Sequence, residues 1–205
     1  MYHNITKMAG LVAASGLIRE DVGMSEDVRG AMIKAARQLL AERGLEGMST
    51  REVLARTGAP RGSVYHYFPR GRIELVEAAI DYAQDQMVAA ITAVAAGTPD
   101  EVVTGYLAIW QRILENSGCQ DGCSIAGVIT GTHEQDLLAR SAAAYAASTD
   151  ALAARFAAAG VPAAEAAQRA ALLIIAAEGA VLISRAQRST EPLRMVARQF
   201  TGSTG

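Results

Sequence analysis

The stretch from Thr57 to Arg72, TGAPRGSVYHYFPRGR, gathers three arginines, one histidine and three aromatic side chains into sixteen residues. Guanidinium groups bind phosphates through paired N–H donors, and imidazole and phenol groups donate single hydrogen bonds to phosphate oxygens. Such a stretch is either a solvated loop or a surface that meets an anion. A phosphate backbone is the anion that fits it best.

Charge is distributed unevenly along the chain, whose formal net charge is −2. Residues 29–72 hold nine basic and three acidic side chains, a net charge of +6, so the remainder carries −8. A basic segment joined to an acidic body is typical of a nucleic-acid-binding module attached to a different domain. Charge alone also fits arginines along a solvated helix face.

Composition favours helices, because 51% of the residues are apolar, many of them alanine, and only 5% are aromatic. The two cysteines do not make a disulfide framework, which predicts a cytoplasmic protein. No apolar run reaches the roughly 20 residues that a bilayer requires, so we expect no membrane contact.

Local signals predict a helix, a tight turn and a short helix in the basic segment. Apolar residues at helical spacing over 26–43 end at Gly44. Ser49 is placed to cap a second helix, and Glu52 to complete a capping box. Pro60, which is favoured at a first helical position, is placed to begin the third helix. This is the helix-turn-helix arrangement.

In that arrangement the start of the third helix meets base edges in the major groove. Arg61 can form paired hydrogen bonds with guanine, Gly62 allows close approach, and Ser63 can bond to a base or a phosphate. Phe68 is expected in the core. The donors to phosphate that follow Ser63 are Tyr65, His66 and Tyr67.

The run MSTREVLARTGAPRGSVYHYFPRGRIELVEAAI resembles the DNA-binding domain of the TetR family of transcriptional regulators, and RGSVYHYF is its most specific part. The resemblance covers about residues 27–80. Leu54 stands where alanine is commoner in the family, and Pro60 stands where serine often caps the third helix. Neither departure removes a DNA contact.

The resemblance implies a role for individual residues. It assigns phosphate contacts to Thr50, Tyr65 and His66, base reading to positions 61–63, and a basic residue opening the fourth helix to Arg72. The full set of expected DNA-binding residues is Thr50, Arg51, Arg61, Gly62, Ser63, Tyr65, His66, Tyr67 and Arg72.

Beyond this segment the pattern predicts only helices, with no strand and no repeat. Their expected ranges are about 72–96, 99–117, 122–131, 133–159, 162–188 and 190–200. The sequence therefore predicts an all-α protein of about nine helices. Its parts are an N-terminal extension (1–24), a helix-turn-helix DNA-binding domain (25–71) and a helical ligand-binding and dimerisation domain (72–205).

The segment GCQDGCSIAGVI, residues 118–129, permits several interpretations. Cys119 and Cys123 could share a metal on a helix, but no second Cys/His pair lies nearby. GCSIA is close to a nucleophile elbow, but no strand precedes it and Ala126 replaces the final glycine. Small residues that line a pocket fit better, as does plain core packing. The segment resembles the "GC" opening of the sixth helix in the TetR branch that includes lincomycin-resistance regulators.

The last long helix, ALLIIAAEGAVLISRAQRS, is apolar all the way around, which predicts burial on every side and a place in a dimer interface. Glu178 lies in its middle and needs a partner or a shifted pKa. It either pairs with the partner's Arg185 or anchors a ligand. Trp110 is either core or a platform for a ligand. The candidate ligand-binding residues are Trp110, Cys123 and Glu178.

Together these features predict a homodimeric one-component transcription regulator without cofactor or metal. It would bind a palindromic site in double-stranded DNA, as a repressor released by a small-molecule effector. Two other classes stay open: an enzyme that uses the helical body as an active-site cavity, and a ligand carrier whose head has lost DNA binding. The presence of Thr50, Arg61, Tyr65 and His66 argues against the carrier.

Overall fold

The computed structural model describes the backbone of residues 14–202 and the side chains of residues 28–202. Over that range the chain forms nine α-helices and no strand, as the sequence predicts. They are α1 Ala14–Gly47, α2 Thr50–Thr57, α3 Ser63–Tyr67, α4 Arg72–Thr92, α5 Pro99–Asn116, α6 Ser124–Ile129, α7 Gln135–Ala158, α8 Ala163–Gln187 and α9 Glu191–Phe200.

Helix α1 begins earlier than the sequence suggests. It starts at Ala14, so the second half of the expected extension (1–24) is helical and continues into the head. Residues 1–13 lie outside the described residues. The predicted end at Gly44 is confirmed, because this residue interrupts the helix with φ +69° and ψ −172°. That conformation is essentially restricted to glycine.

The head, α1 to α3, follows the predicted helix-turn-helix. The Ser49 side chain accepts the backbone N–H of Glu52 at 3.2 Å, but the Glu52 carboxylate lies 3.5 Å from Arg43 rather than closing a capping box. The prediction that Pro60 begins α3 is wrong by three residues. Pro60 lies in the turn and its carbonyl accepts the N–H of Ser63, where the helix begins.

Two apolar cores hold the chain together, and one of them crosses the predicted domain boundary. The head core is built from α1 to α4, with Phe68 fully buried as predicted, and it continues into α6 and α7 through Ile125, Val128 and Leu137. The body core joins α4, α5, α7, α8 and α9. Cys123 and Tyr145 pack against both cores.

The head and body meet in a backbone contact between α1 and α6. A Cβ on Gly127 would lie 2.4 Å from the carbonyl oxygen of Leu40 and 3.2 Å from the Cα of Gly44. The N–H of Gly122 donates to the Ala41 carbonyl at 3.0 Å. Only glycine fits at position 127 without moving α6 away from α1.

Within the single chain, helix α8 is not buried on every side, and the sequence-based expectation assigns the rest of its surface to a dimer interface. Its alanine-rich face packs into the body core, whereas its other face leaves large apolar side chains exposed. By length and composition alone α8 could cross a membrane, a test that the core helices of soluble proteins also pass. The exposed side chains are Leu172, Ile175, Leu182 and Ile183, and Met195 of α9 is exposed as well.

We predict that Gly127→Ala destabilises the protein by about 1–3 kcal/mol, because the added methyl overlaps the Leu40 carbonyl in a packed contact. Thermal or urea unfolding measures the change. Gly30→Ala in α1 is the matched control, since a Cβ there meets nothing within 4 Å. Equal stability of the two variants would show that α6 does not press on α1.

Candidate functional site

The recognition end of the head is exposed to solvent. Arg61, Gly62 and His66 are exposed, and Tyr65 keeps 71% of its surface accessible. Val64 is buried and fixes the orientation of α3, while the ring of Tyr67 contacts that of His66 edge to face. Of the remaining expected contacts, Arg51 is exposed and Thr50 and Ser63 are half-buried.

Several basic residues of the head are held by the protein itself. Arg56 of α2 forms two hydrogen bonds with the carboxylate of Glu42, at 3.1 and 2.6 Å, and holds the pKa of Glu42 below its usual value. Arg70 pairs with Glu77 through both terminal nitrogens. Within the described part of the chain, Arg51 and Arg61 make no ion pair. The guanidinium groups of Arg51 and Arg61 are therefore available to an anion.

Arg72, to which the family resemblance assigns a DNA contact, forms hydrogen bonds within the protein. Its Nε donates to the carbonyl of Met48 at 2.8 Å, and a terminal nitrogen donates to the carbonyl of Leu45. These bonds satisfy carbonyls at and just after the end of α1, and they use two of the five N–H donors of this guanidinium.

A cavity of about 210 Å³ lies inside the body, between α4, α5, α6, α7 and α8. Its walls are mostly apolar, with a few polar groups among them. This is the usual character of a small-molecule site. The apolar lining includes Met87, Ala90, Ile109, Trp110, Ile113 and Ile174.

All three expected ligand-binding residues line this cavity. Trp110 is 4% exposed and its indole N–H donates to the hydroxyl of Tyr106 at 3.1 Å, so it belongs to the core and to the cavity wall at once. Cys123 caps α6, and its Sγ lies 3.5 Å from the backbone nitrogen of Ala126. The small-residue segment thus forms one wall of a pocket.

Glu178 faces this cavity together with Cys123 and Tyr145. The Cys123 Sγ lies 3.5 Å from the Tyr145 hydroxyl, and both groups interact with the Glu178 carboxylate. Burial raises the pKa of Glu178, and it raises that of Cys123 to about 12. The pKa of Tyr145 is also raised, mainly by burial. The two donors therefore stay neutral near pH 7.

The side chain of Arg185 is bonded within its own chain. Its Nη2 donates to the backbone carbonyl of Glu42 in its own chain at 2.8 Å. A second cavity of about 620 Å³ lies between α1, α6 and α8, and Glu178, Cys123 and Tyr145 line both cavities. These contacts favour a ligand-facing Glu178 over an ion pair with the partner's Arg185.

Sequence reasoning missed Tyr145 and Arg37, which also line the first cavity. Tyr145 stands in the alanine-rich run SAAAYAAS, where an isolated aromatic residue is the only available signal. Nothing in the local pattern around Arg37 separates it from the other basic residues of α1. Among residues with described side chains, no group of three or more His, Cys, Asp or Glu is arranged to hold a metal ion.

Fold and site define a class: a helix-turn-helix transcription regulator whose helical body encloses a cavity. Residues 32–79 match the model of the bacterial regulatory proteins of the tetR family, and residues 99–199 match the C-terminal domain of LmrA/YxaF-like transcriptional regulators. The chain is 36% identical over 179 residues to the uncharacterized HTH-type transcriptional regulator Rv0196 of Mycobacterium tuberculosis, covering 84% of this chain and 91% of that protein. The protein belongs to the TetR family, with an LmrA/YxaF-like C-terminal domain.

Solved structures show the same fold. The regulatory protein TetR from Rhodobacter sphaeroides superposes with a TM-score of 0.75 at 21% identity, covering 83% of this chain and 95% of that one. The reduced form of NemR from E. coli gives a TM-score of 0.71 at 23% identity, with coverages of 85% and 96%. The predicted family and architecture are confirmed.

We predict that Glu178→Gln becomes more stable relative to the wild type as pH rises. Burial raises the folded-state pKa of Glu178 above its unfolded value, so the protonated form favours folding. The stabilisation that protonated Glu178 contributes is fully present below its pKa in the unfolded state, and it is lost as the pH rises through its pKa in the folded state. Urea unfolding at about pH 5 and pH 8 measures this difference. Glu165→Gln, at an exposed site on α8, is the control, and a parallel response of both variants would contradict the buried environment.

Proposed function

We propose that the protein is a cytoplasmic homodimeric repressor, which binds a palindromic operator and is released when a small molecule enters the cavity lined by Glu178. The observation that carries this proposal is the exposed recognition end of α3, with Arg61 unpaired, on the same chain as a preformed apolar cavity. Arg61, Gly62 and Ser63 are assigned to base edges. Phosphate contacts are assigned to Thr50, Arg51, Tyr65, His66 and Tyr67.

The exposed apolar face of α8 supports the homodimer. Ile175 and Leu182 are 67% and 68% exposed, and Met195 of the neighbouring α9 is 59% exposed. An apolar face this continuous marks an interaction surface. A second copy placed on it would set the spacing of the two heads, which must match major grooves about one helical turn, 34–36 Å, apart or multiples of it.

The contacts of α6 support the coupling between the cavity and the head. Cys123, Ser124 and Ile125 line the cavity, and Gly127, in the same helix, touches the backbone of α1. A ligand that displaces α6 must therefore displace α1, which supplies more buried residues to the head core than any other helix. A coupling free energy of about 1–3 kcal/mol would weaken DNA binding about 5- to 150-fold.

Glu42 offers a second connection between the body and the head. Its backbone carbonyl accepts a hydrogen bond from Arg185 of α8, and its carboxylate is bonded to Arg56 of α2. A shift of α8 would thus act directly on the helix that braces the recognition helix.

We infer a regulator rather than an enzyme. Among the groups that line the cavity, the Cys123 thiol and the Tyr145 hydroxyl both have raised pKa values and stay protonated at neutral pH. A protonated thiol is a poor nucleophile. Selection of bound sequences from random DNA, followed by a screen of compounds for release, tests the proposal. Failure to enrich any palindrome would contradict it.

We predict that Arg61→Ala relaxes base preference at one symmetric pair of operator positions, at about 1–3 kcal/mol per contact. His66→Ala, which removes an assigned phosphate donor, should instead weaken binding to all sequences alike. Competition binding at several salt concentrations separates the two effects. Arg112→Ala, an exposed arginine on α5, is the control for loss of charge alone. Unchanged selectivity of Arg61→Ala would contradict the base assignment.

We predict that Ile175→Glu dissociates the dimer and weakens operator binding, because it places a charge in the centre of the apolar face of α8. Analytical ultracentrifugation measures the assembly state. Thr92→Glu, at the exposed end of α4, is the control. A dimer that survives Ile175→Glu would show that the subunits join elsewhere.

A further inference from the structure

The first cavity has room for a compact apolar body. Its volume is about 210 Å³, and engineered apolar cavities of about 150 Å³ hold a benzene molecule. Residues from α4, α5 and α8 supply the apolar walls, and the aromatic side chains of Tyr106, Trp110 and Tyr145 are part of the lining. A ligand with one ring and a short chain fits this volume.

Glu178 supplies the one acidic group of the described lining. Its neighbours, Cys123 and Tyr145, are hydrogen-bond donors without charge. Tyr106 and Trp110, also in the lining, are bonded to each other. A carboxylate that meets only neutral donors keeps its negative charge uncompensated in an apolar setting, which is costly.

Three guanidinium groups line the two cavities, those of Arg37, Arg43 and Arg185, but none of them pairs with Glu178. Arg43 pairs with Glu52 of α2. Arg185 is bonded to the Glu42 carbonyl. Burial raises the pKa of Asp121, in the loop before α6, and the charges of Arg37 and Arg185 partly offset that rise. None of the three arginines contributes to the pKa shift of Glu178. Within the described residues, the carboxylate has no cationic partner.

We propose that the cavity binds a monovalent organic cation, an ammonium group on an apolar aromatic body, with Glu178 as its counter-ion. The inference rests on the proposed function only in treating this cavity as the effector site. The ammonium group would form a charge-assisted hydrogen bond with Glu178 and lie near aromatic rings, which attract cations through their faces. Glu178 also lines the second cavity of about 620 Å³, so a longer ligand continues past the carboxylate into that space.

Calorimetric titration of the full chain with two matched probes tests the proposal. The probes are 4-phenylbutylamine, which is protonated at about pH 7.5, and the neutral 4-phenylbutan-1-ol. The amine is expected to bind about tenfold or more tightly than the alcohol, because a hydrogen bond between charged partners outweighs one between a neutral donor and a carboxylate. Equal affinities, tighter binding of the alcohol or binding of neither probe would overturn the proposal.

The variant Glu178→Gln keeps the shape of the side chain and removes its charge. It should lose the preference for the amine and retain the affinity for the alcohol, which also shows that the cavity remains folded. Glu165→Gln, at an exposed site on the same helix, should keep the preference. Retention of the preference by Glu178→Gln would assign the cation elsewhere and overturn the proposal.

The titration needs no DNA, so its outcome is separate from that of operator selection. Amine binding without an enriched palindrome would leave the cation site standing and remove the repressor assignment. An operator complex that is dissociated only by neutral compounds would leave the repressor assignment standing and overturn the cation site.

Discussion

The contact on which the rest of the structure depends is the one between the backbones of α6 and α1. Gly127 lies so close to the Leu40 carbonyl that a methyl group would not fit, and Gly44 turns the end of α1 through a conformation that only glycine adopts easily. Because no side chain separates the two helices, the contact has no flexible part that could absorb a displacement. Packed interiors transmit strain for the same reason.

This contact also explains why the head and body share a core. Ile125 and Val128 of α6 and Leu137 of α7 are buried among residues of α1 to α4, so part of the body completes the core of the head. A head built from α1 to α3 buries little apolar surface by itself. The predicted domain boundary at residue 71 divides the sequence, but the apolar core of the head continues across it into α6 and α7. The stability of the head therefore depends on the position of α6.

Features with a local cause could be predicted from the sequence. Gly44 ends a helix because of its own backbone freedom. Thr98 and Glu101 form a full capping box at the start of α5, where the predicted helices 72–96 and 99–117 are separated. The start of α3 was misplaced because Pro60 favours a first helical turn, whereas here it forms the turn before the helix. Local preference is only a weak guide where tertiary packing decides.

Features that join distant parts of the chain could not be predicted in this way. The carbonyls that accept hydrogen bonds from Arg72 lie 24 and 27 residues away in the sequence. Gly127 contacts Leu40 although α2 to α5 lie between them along the chain. The partner of Arg185, the Glu42 carbonyl, is 143 residues distant. No periodicity or cap in one segment carries information about such a neighbour. Glu178 could be singled out as an anomaly in an apolar helix, but only the fold shows which groups surround it.

Helix α8 lines both cavities and also carries the exposed apolar face that is proposed to join the subunits. Glu178 lines both cavities, while the next residue, Gly179, is exposed, and Leu182, one turn further, is both exposed and part of the second cavity lining. A partner subunit on this face would cover the second cavity, since the same side chains border both. A ligand that reaches past Glu178 would then touch the region where the subunits meet. In the proposed dimer, occupation of the cavity and the arrangement of the two heads would therefore depend on the same helix, and a change in one would alter the other.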